Sequence, residues 1–164
     1  MQNAGHTQSS KDIWGLEIEY LTGVESIWDK NAPDLINQKI YKVEDLIKKL
    51  LQENSNLVLE PYGIETQIQI VERTQAGYVK AIQVGNQLML GEAFRRILNL
   101  RSSCFALQYT EGDVVFITKG IGHGVGLSQY GANEMAKEGK LYEEILSHFF
   151  PNTTIKYIGT KKEL

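Results

Sequence analysis

A chain of 164 residues, 42% hydrophobic and 23% charged, is long enough for one domain with a real core and carries no compositional mark of disorder. Its net charge of -3 and pI near 5.7 exclude an overall basic field for nucleic acid or an anionic membrane, and its single cysteine, Cys104, excludes an intrachain disulfide and a multi-cysteine zinc site. Met1 to Ser10 is polar and no apolar run approaches the roughly 20 residues that cross a bilayer, so the sequence shows no targeting or transmembrane segment.

Residues 2–15 are polar and turn-rich and read as a loop leading to a buried tryptophan, Trp14. Residues 17–24 read as a short extended segment, and Leu35 to Tyr41 as a strand. Val43 to Glu53 then sets Val43, Leu46, Ile47 and Leu50 on one helical stripe, with Lys48 and Lys49 on a solvated face. Ile64 to Glu72 alternates isoleucine and threonine with polar residues, the pattern of a half-buried strand. A turn at Gln75-Ala76-Gly77, a strand over Tyr78 to Val84 and a reversal at Gly85-Asn86 into Leu88 to Leu90 complete a three-stranded meander.

Glu92 to Leu100 reads as a helix with Phe94, Ile97 and Leu98 inward, and the arginine that follows it, Arg101, suits helix-end carbonyls or a carboxylate better than a ligand. Ser103 to Tyr109 and Val114 to Thr118 form a hairpin around Glu111-Gly112-Asp113 that leads into Gly120. A helix is expected from Ser128, capped by its hydroxyl, carrying Ala132, Met135 and Ala136 as its apolar stripe and closed by Gly139. A second runs from Tyr142 to Phe149 with Pro151 as its stop, followed by a last strand over 153–158 and a frayed tail over 159–164. Together these give an α+β fold, a mixed or mainly antiparallel sheet packed by several short helices, with residues 35–100 as a semi-independent lobe.

The run from Gly120 to Ala132 stands apart. Gly120, Gly122, Gly124 and Gly126 recur at every second residue, which in an extended backbone bares one face and groups Ile121, His123, Val125 and Leu127 on the other. Such a run either lets a ligand approach or relieves crowding in a tight corner between strand and helix. A phosphate loop lacks its Lys-Ser/Thr, a dinucleotide fingerprint fails at Val125, and Ser128 between Gly126 and Gly131 does not make a nucleophile elbow. His6, His123 and His148 are too scattered for a ligand spacing, so neither metal nor cofactor is expected. His123 is either a polar contact at a groove or an imidazole satisfied by a nearby carbonyl. Gln129 and Tyr130, beside bare backbone, supply the amide and the flat apolar face that sugar rings use.

This run, with Met135-Ala136, Gly139, Tyr142, Ile145-Leu146 and His148-Phe149-Phe150-Pro151 after it, resembles the C-terminal signature of the stage II sporulation protein D family, which includes amidase enhancers. Gly5, Thr7, Asp12, Trp14 and Gly15 match its Gly-x-Thr-x-x-x-x-Asp-x-Trp-Gly stretch; Tyr20, Leu21 and Val24 match Tyr-Leu-x-x-Val; Arg95, Leu98, Leu100, Arg101, Ser102 and Phe105 match a further pattern. Ile121 departs from a frequent aromatic residue, and Cys104 from an acidic or polar one.

The resemblance implies a protein of the cell envelope or exterior that cleaves peptidoglycan glycan strands as a lytic transglycosylase. There a carboxylic acid of raised pKa protonates the glycosidic oxygen and the sugar's own hydroxyl closes an anhydro ring. The family's acid lies in a Gly-Val-x-x-x-Glu-Met motif upstream of the matched region. Gly23-Val24-Glu25 lacks that spacing, so Glu25 takes no such role, and the chain is expected to be a C-terminal portion, inactive alone. Gly120, Gly122, His123, Gly124, Gly126, Ser128, Gln129 and Tyr130 are the expected glycan-binding residues. Other cell-wall hydrolases are further candidate partners, and a non-catalytic wall-binding or amidase-stimulating module is the alternative.

Overall fold

The computed structural model describes residues 2–156 and 158. In chain order it holds α1 (Ser10–Trp14), a 3-10 helix (Ile27–Asn31), β1 (Ile36–Lys42), α2 (Val43–Glu53), α3 (Ile64–Gln67), β2 (Ile68–Arg73), β3 (Val79–Val84), β4 (Gln87–Leu90), α4 (Gly91–Ile97), β5 (Phe105–Thr110), β6 (Asp113–Lys119), α5 (Gln129–Lys137) and α6 (Tyr142–Phe149). The strands make two three-stranded antiparallel sheets, ordered β1-β6-β5 and β2-β3-β4. The α+β reading therefore holds, with the pairing inside both sheets antiparallel.

One core joins both sheets. The stripe of α2 buries Val43, Leu46, Ile47 and Leu50, the meander adds Ile68, Ile82 and Val84, and Phe94, Phe105 and Phe116 from α4, β5 and β6 meet with ring centroids 5.7–6.1 Å apart. Each buried side chain of this size contributes about 1.5–3 kcal/mol. A second, smaller core sits under the C-terminal helices, where Met135, Ile145 and Phe149 pack with Val24, Trp28, Leu127 and Phe150. Ala132 is half-buried there, but Ala136 of the expected stripe faces solvent.

Several expectations need correction. Ile64 to Gln67 is a helical turn, not strand: left-handed Gly63 starts it, Thr66 N–H donates to the Gly63 carbonyl, and buried Ile64 and Ile68 stand one turn apart. Helix α4 stops at Ile97 because Asn99 turns left-handed. Its end is satisfied by Lys39 and Tyr41, which donate to the Leu98 carbonyl at 2.9 and 2.8 Å, and by Arg95, which donates to Leu100. Arg101 instead offers its carbonyl to Gly122 N–H at 2.7 Å. Residues 17–24 are irregular and turn-bearing, with Gly23 left-handed against the Thr7 carbonyl. Residues 153–156 and 158 form no strand; Tyr157 and the expected tail over 159–164 lie outside the described residues.

Helices α5 and α6 match their expected spans. They, the N-terminal segment and the 3-10 helix surround the glycine run where it leaves β6. No helix among the described residues is long and apolar enough to cross a membrane.

Candidate functional site

Alternation in the glycine run has a cause other than an extended strand. Gly120, Gly122, Gly124 and Gly126 have φ of 80°, 96°, 79° and 79°, a left-handed region that costs a residue with a Cβ about 1–2 kcal/mol. The backbone thus reverses hand at every second residue. Single bridges, Gln2 to Ile121, Gln8 to Val125 and Ser102 to Gly122, tie it to the rest of the fold.

What approaches the missing side chains at two positions is the chain itself. A Cβ on Gly120 would stand 2.7 Å from the Gln2 carbonyl oxygen, and one on Gly124 would stand 2.6 Å from the Tyr78 ring. Both glycines are buried, so crowding explains them and a side chain at 124 would test the fold rather than a groove. Gly126 has looser neighbours, with Phe150 at 3.5 Å and Leu21 at 3.8 Å.

The N-terminal segment is stitched along the run. Gln8 N–H donates to the Gly124 carbonyl and its Nε2 to the His123 carbonyl, both at 2.7 Å, while Gln2 and Ile121 exchange backbone bonds of 3.2 and 2.7 Å. Tyr78, 1% exposed, accepts from Ala4 N–H at 3.2 Å and donates to the His6 carbonyl; burial pushes its phenol well above the usual range. Asn3 is fully buried beside Gly120, and both its side-chain amide atoms lack a partner among the described residues.

Ser128 caps α5 as expected, its Oγ accepting from Gly131 N–H at 3.1 Å. It is fully buried and donates to Asp29 Oδ1 at 2.7 Å, while Ser26 donates to Oδ2 at 2.5 Å. Asp29 thereby fastens the 3-10 helix to the start of α5. Gly131 is required there, since a Cβ would lie 2.6 Å from Ser26 Oγ. Ser128 therefore supports the site from within.

The exposed members are Gln129 and His123, with Tyr130 half-buried. Gln129 and Tyr130 line an open groove of about 360 Å³ with Gln2, Ile121 and Asn133. His123 lies outside that lining, its ring 6.2 Å from the Trp14 ring. Its Nδ1 accepts from Val125 N–H at 3.1 Å, which places the proton of the neutral ring on Nε2. Burial lowers its pKa; Glu92 opposes the shift, and Arg95 and Arg96 reinforce it.

Glu92, the acid that acts on His123 electrostatically, is one that sequence reasoning missed. Burial alone would raise the Glu92 carboxyl, but Arg95, bonded at 2.8 and 2.9 Å, and Arg96, bonded at 3.1 Å, hold it below the usual range. An ionised carboxylate is no proton donor. Glu134 is half-buried and held low by Lys137, and Glu25 pairs with Lys30 at 3.4 Å. Cys104 Sγ faces the Gly77 carbonyl at 3.6 Å rather than His123, and burial pushes its thiol up. Tyr78 and Asp29 were also missed, because Tyr78 meets Ala4 and His6, and Asp29 meets Ser128, only across long stretches of chain.

No protein-family model matches the chain. It is 34% identical over 151 residues to the stage II sporulation protein D of Bacillus amyloliquefaciens and 32% identical over 151 residues to that of Bacillus subtilis, each match covering 92% of this chain. The chain spans 42% of the length of either relative. A shorter stretch of 37 residues, 23% of the chain, is 51% identical to 5% of the amidase enhancer of Bacillus subtilis.

Proposed function

Starting from a chain that belongs to the stage II sporulation protein D family, we propose that it is the glycan-strand-binding part of a lytic-transglycosylase-like protein of the cell envelope, acting on peptidoglycan. The observation that carries this reading is the groove beside the glycine run. Tyr130 brings an aromatic ring, Gln129 and Asn133 bring amides and Ile121 brings apolar surface to its lining, the mixture a sugar ring with polar rim and apolar faces requires. Buried Gly120, Gly124 and Ser128 contribute by fixing that backbone, while Gly122, His123 and Gly126 lie along it. The half-buried Gly122 and the exposed His123 add contacts beside the groove.

The second reading, a non-catalytic wall-binding or amidase-stimulating module, is favoured by the local identity to an amidase enhancer. Other wall hydrolases are its partners in that case. One experiment separates the readings from each other and from failure: the chain is incubated with denuded sacculi, and pelleted protein and released muropeptides are both measured. Binding without anhydro-muropeptides is expected, because Glu92 is held ionised and Glu134 is paired with Lys137 at 2.7 Å. Stimulation of an added amidase selects the second reading. Absence of binding, or loss of nothing on Tyr130→Ala, overturns the groove.

A further inference from the structure

The outer strand of a sheet invites pairing by another strand unless something blocks its edge. On β5, the outward-facing Phe105 carbonyl is taken by Arg73 Nη2 at 2.9 Å. On β2, the Ile68 carbonyl accepts the Tyr109 hydroxyl, and register shifts after Ile70 break the strand's regularity. β4 is only four residues long.

β1 has none of these protections. It runs for seven residues in unbroken register against β6 and contains no proline. Bonds from Gly120 N–H to the Leu35 carbonyl and from Val43 N–H to the Gly112 carbonyl fix its alternation, so Ile36, Gln38 and Ile40 turn their N–H and C=O groups away from β6. Among the described residues no backbone group meets them. Lysines often shield such an edge, but Lys39 Nζ turns in to the Leu98 carbonyl at 2.9 Å and Lys42 Nζ pairs with Asp113 at 2.9 Å. Ile36 and Ile40 are left 64% and 60% exposed, with exposed Gln38 between them.

We propose that β1 pairs with β1 of a second copy of this chain, antiparallel about a two-fold axis through Gln38. The side-chain order selects that partner. Ile36-x-Gln38-x-Ile40 reads the same in both directions, so the two-fold sets Ile36 opposite Ile40 of the second copy and Gln38 opposite itself. In this register the outward backbone groups of all three residues face one another. Charge agrees as well: exposed Asp34, just before the strand, comes level with Lys42 of the second copy. Half-buried Ile117 and Val115, beside Gln38 and Ile40 on β6, continue the apolar stripe into each copy. Because the contact is an edge and not a broad face, the dimer is weak and depends on concentration. It is independent of the glycan reading.

Sedimentation velocity of the full chain over a dilution series tests it. The mass should move from 18.5 kDa towards twice that value as concentration rises. Ile40→Lys and Gln38→Pro should each hold the chain at monomer mass; the proline removes an N–H that β6 does not use, and thermal melting checks that both variants fold. Gln108→Lys, exposed on β5 of the same sheet, should leave association unchanged. Gln38→Glu and Gln38→Lys should each be monomeric alone, because like charges meet on the axis, and their equimolar mixture should regain the dimer. A chain that stays monomeric at every concentration, or a dimer that survives in folded Ile40→Lys, overturns the interface. A mixture that remains monomeric overturns the register, and growth beyond two copies overturns the two-fold pairing.

Discussion

The core around Phe94, Phe105 and Phe116 and the glycine run at 120–126 are built by opposite means. In the core, two antiparallel sheets and amphipathic α2 and α4 follow ordinary periods, and long-range contacts repeat residue after residue along each ladder. In the run, backbone hand alternates, and order comes from isolated bridges and a few side chains that arrive from far away: Gln2, Gln8 and Tyr78. A ladder spreads its stability over many equivalent bonds, so one substitution dents it. A run fixed by single contacts concentrates its stability, and the exposed residues it carries are correspondingly well positioned.

That difference is sharpened most by Gly124→Ala set beside Gly112→Ala. Both positions have φ of 79°, but only at 124 does the added Cβ strike a ring, while nothing lies within 4 Å at 112. Urea denaturation should show a loss of about 2–5 kcal/mol at 124, combining left-handed strain with overpacking, and about 1–2 kcal/mol at 112 from strain alone. Equal losses would mean that Tyr78 yields and the run is not tightly held.

Next in size is Asp29→Ala, which strands the Ser26 and Ser128 hydroxyls inside the protein. A loss of roughly 3 kcal/mol is expected, with amide exchange accelerating first at the start of α5. Loss confined to the sheets would break the link drawn here between the 3-10 helix and that start. Tyr78→Phe removes only the hydroxyl contacts to Ala4 and His6 and should cost about 1 kcal/mol, read as faster exchange of the Ala4 amide with β3 unaffected.

The smallest effect belongs to His123. Burial lowers its folded-state pKa, so the unfolded chain binds the proton more readily. Its contribution to stability is complete above the unfolded value of about 6.5 and declines as pH falls below it. His123→Gln should flatten the dependence of stability on pH below that value. An unchanged slope would place the titration elsewhere.

Regular parts of the fold were legible in the sequence because each carries its own period: α2 from Val43 to Glu53, the meander around Gly77 and Gly85-Asn86, the 105–119 hairpin, and α6 up to Pro151. Ile64 misled because isoleucines four apart serve a helical turn as well as a strand that skips a pair. In the site, Ser128 as a cap and Gln129 and Tyr130 as lining residues could be read locally. The glycine alternation was visible but its cause was not, since an extended face and an alternating left-handed backbone have the same spacing. Trp14 reads as buried at the end of a polar loop, yet it is exposed. Asp29 and Tyr78 gave no signal, as their contacts with Ser128, Ala4 and His6 form only when the chain closes on itself, whereas Glu92 has Arg95 and Arg96 one helical turn away, a spacing that could have been read.

The surface along the glycine run, and not the sheets behind it, is proposed to hold a glycan. Amide resonances followed while a peptidoglycan tetrasaccharide is added test this directly. Saturable shifts are expected, centred on Ile121 to Gly126, Gln129 and Tyr130, with the β2-β3-β4 meander silent. Shifts confined to the meander, or none that saturate, would contradict it.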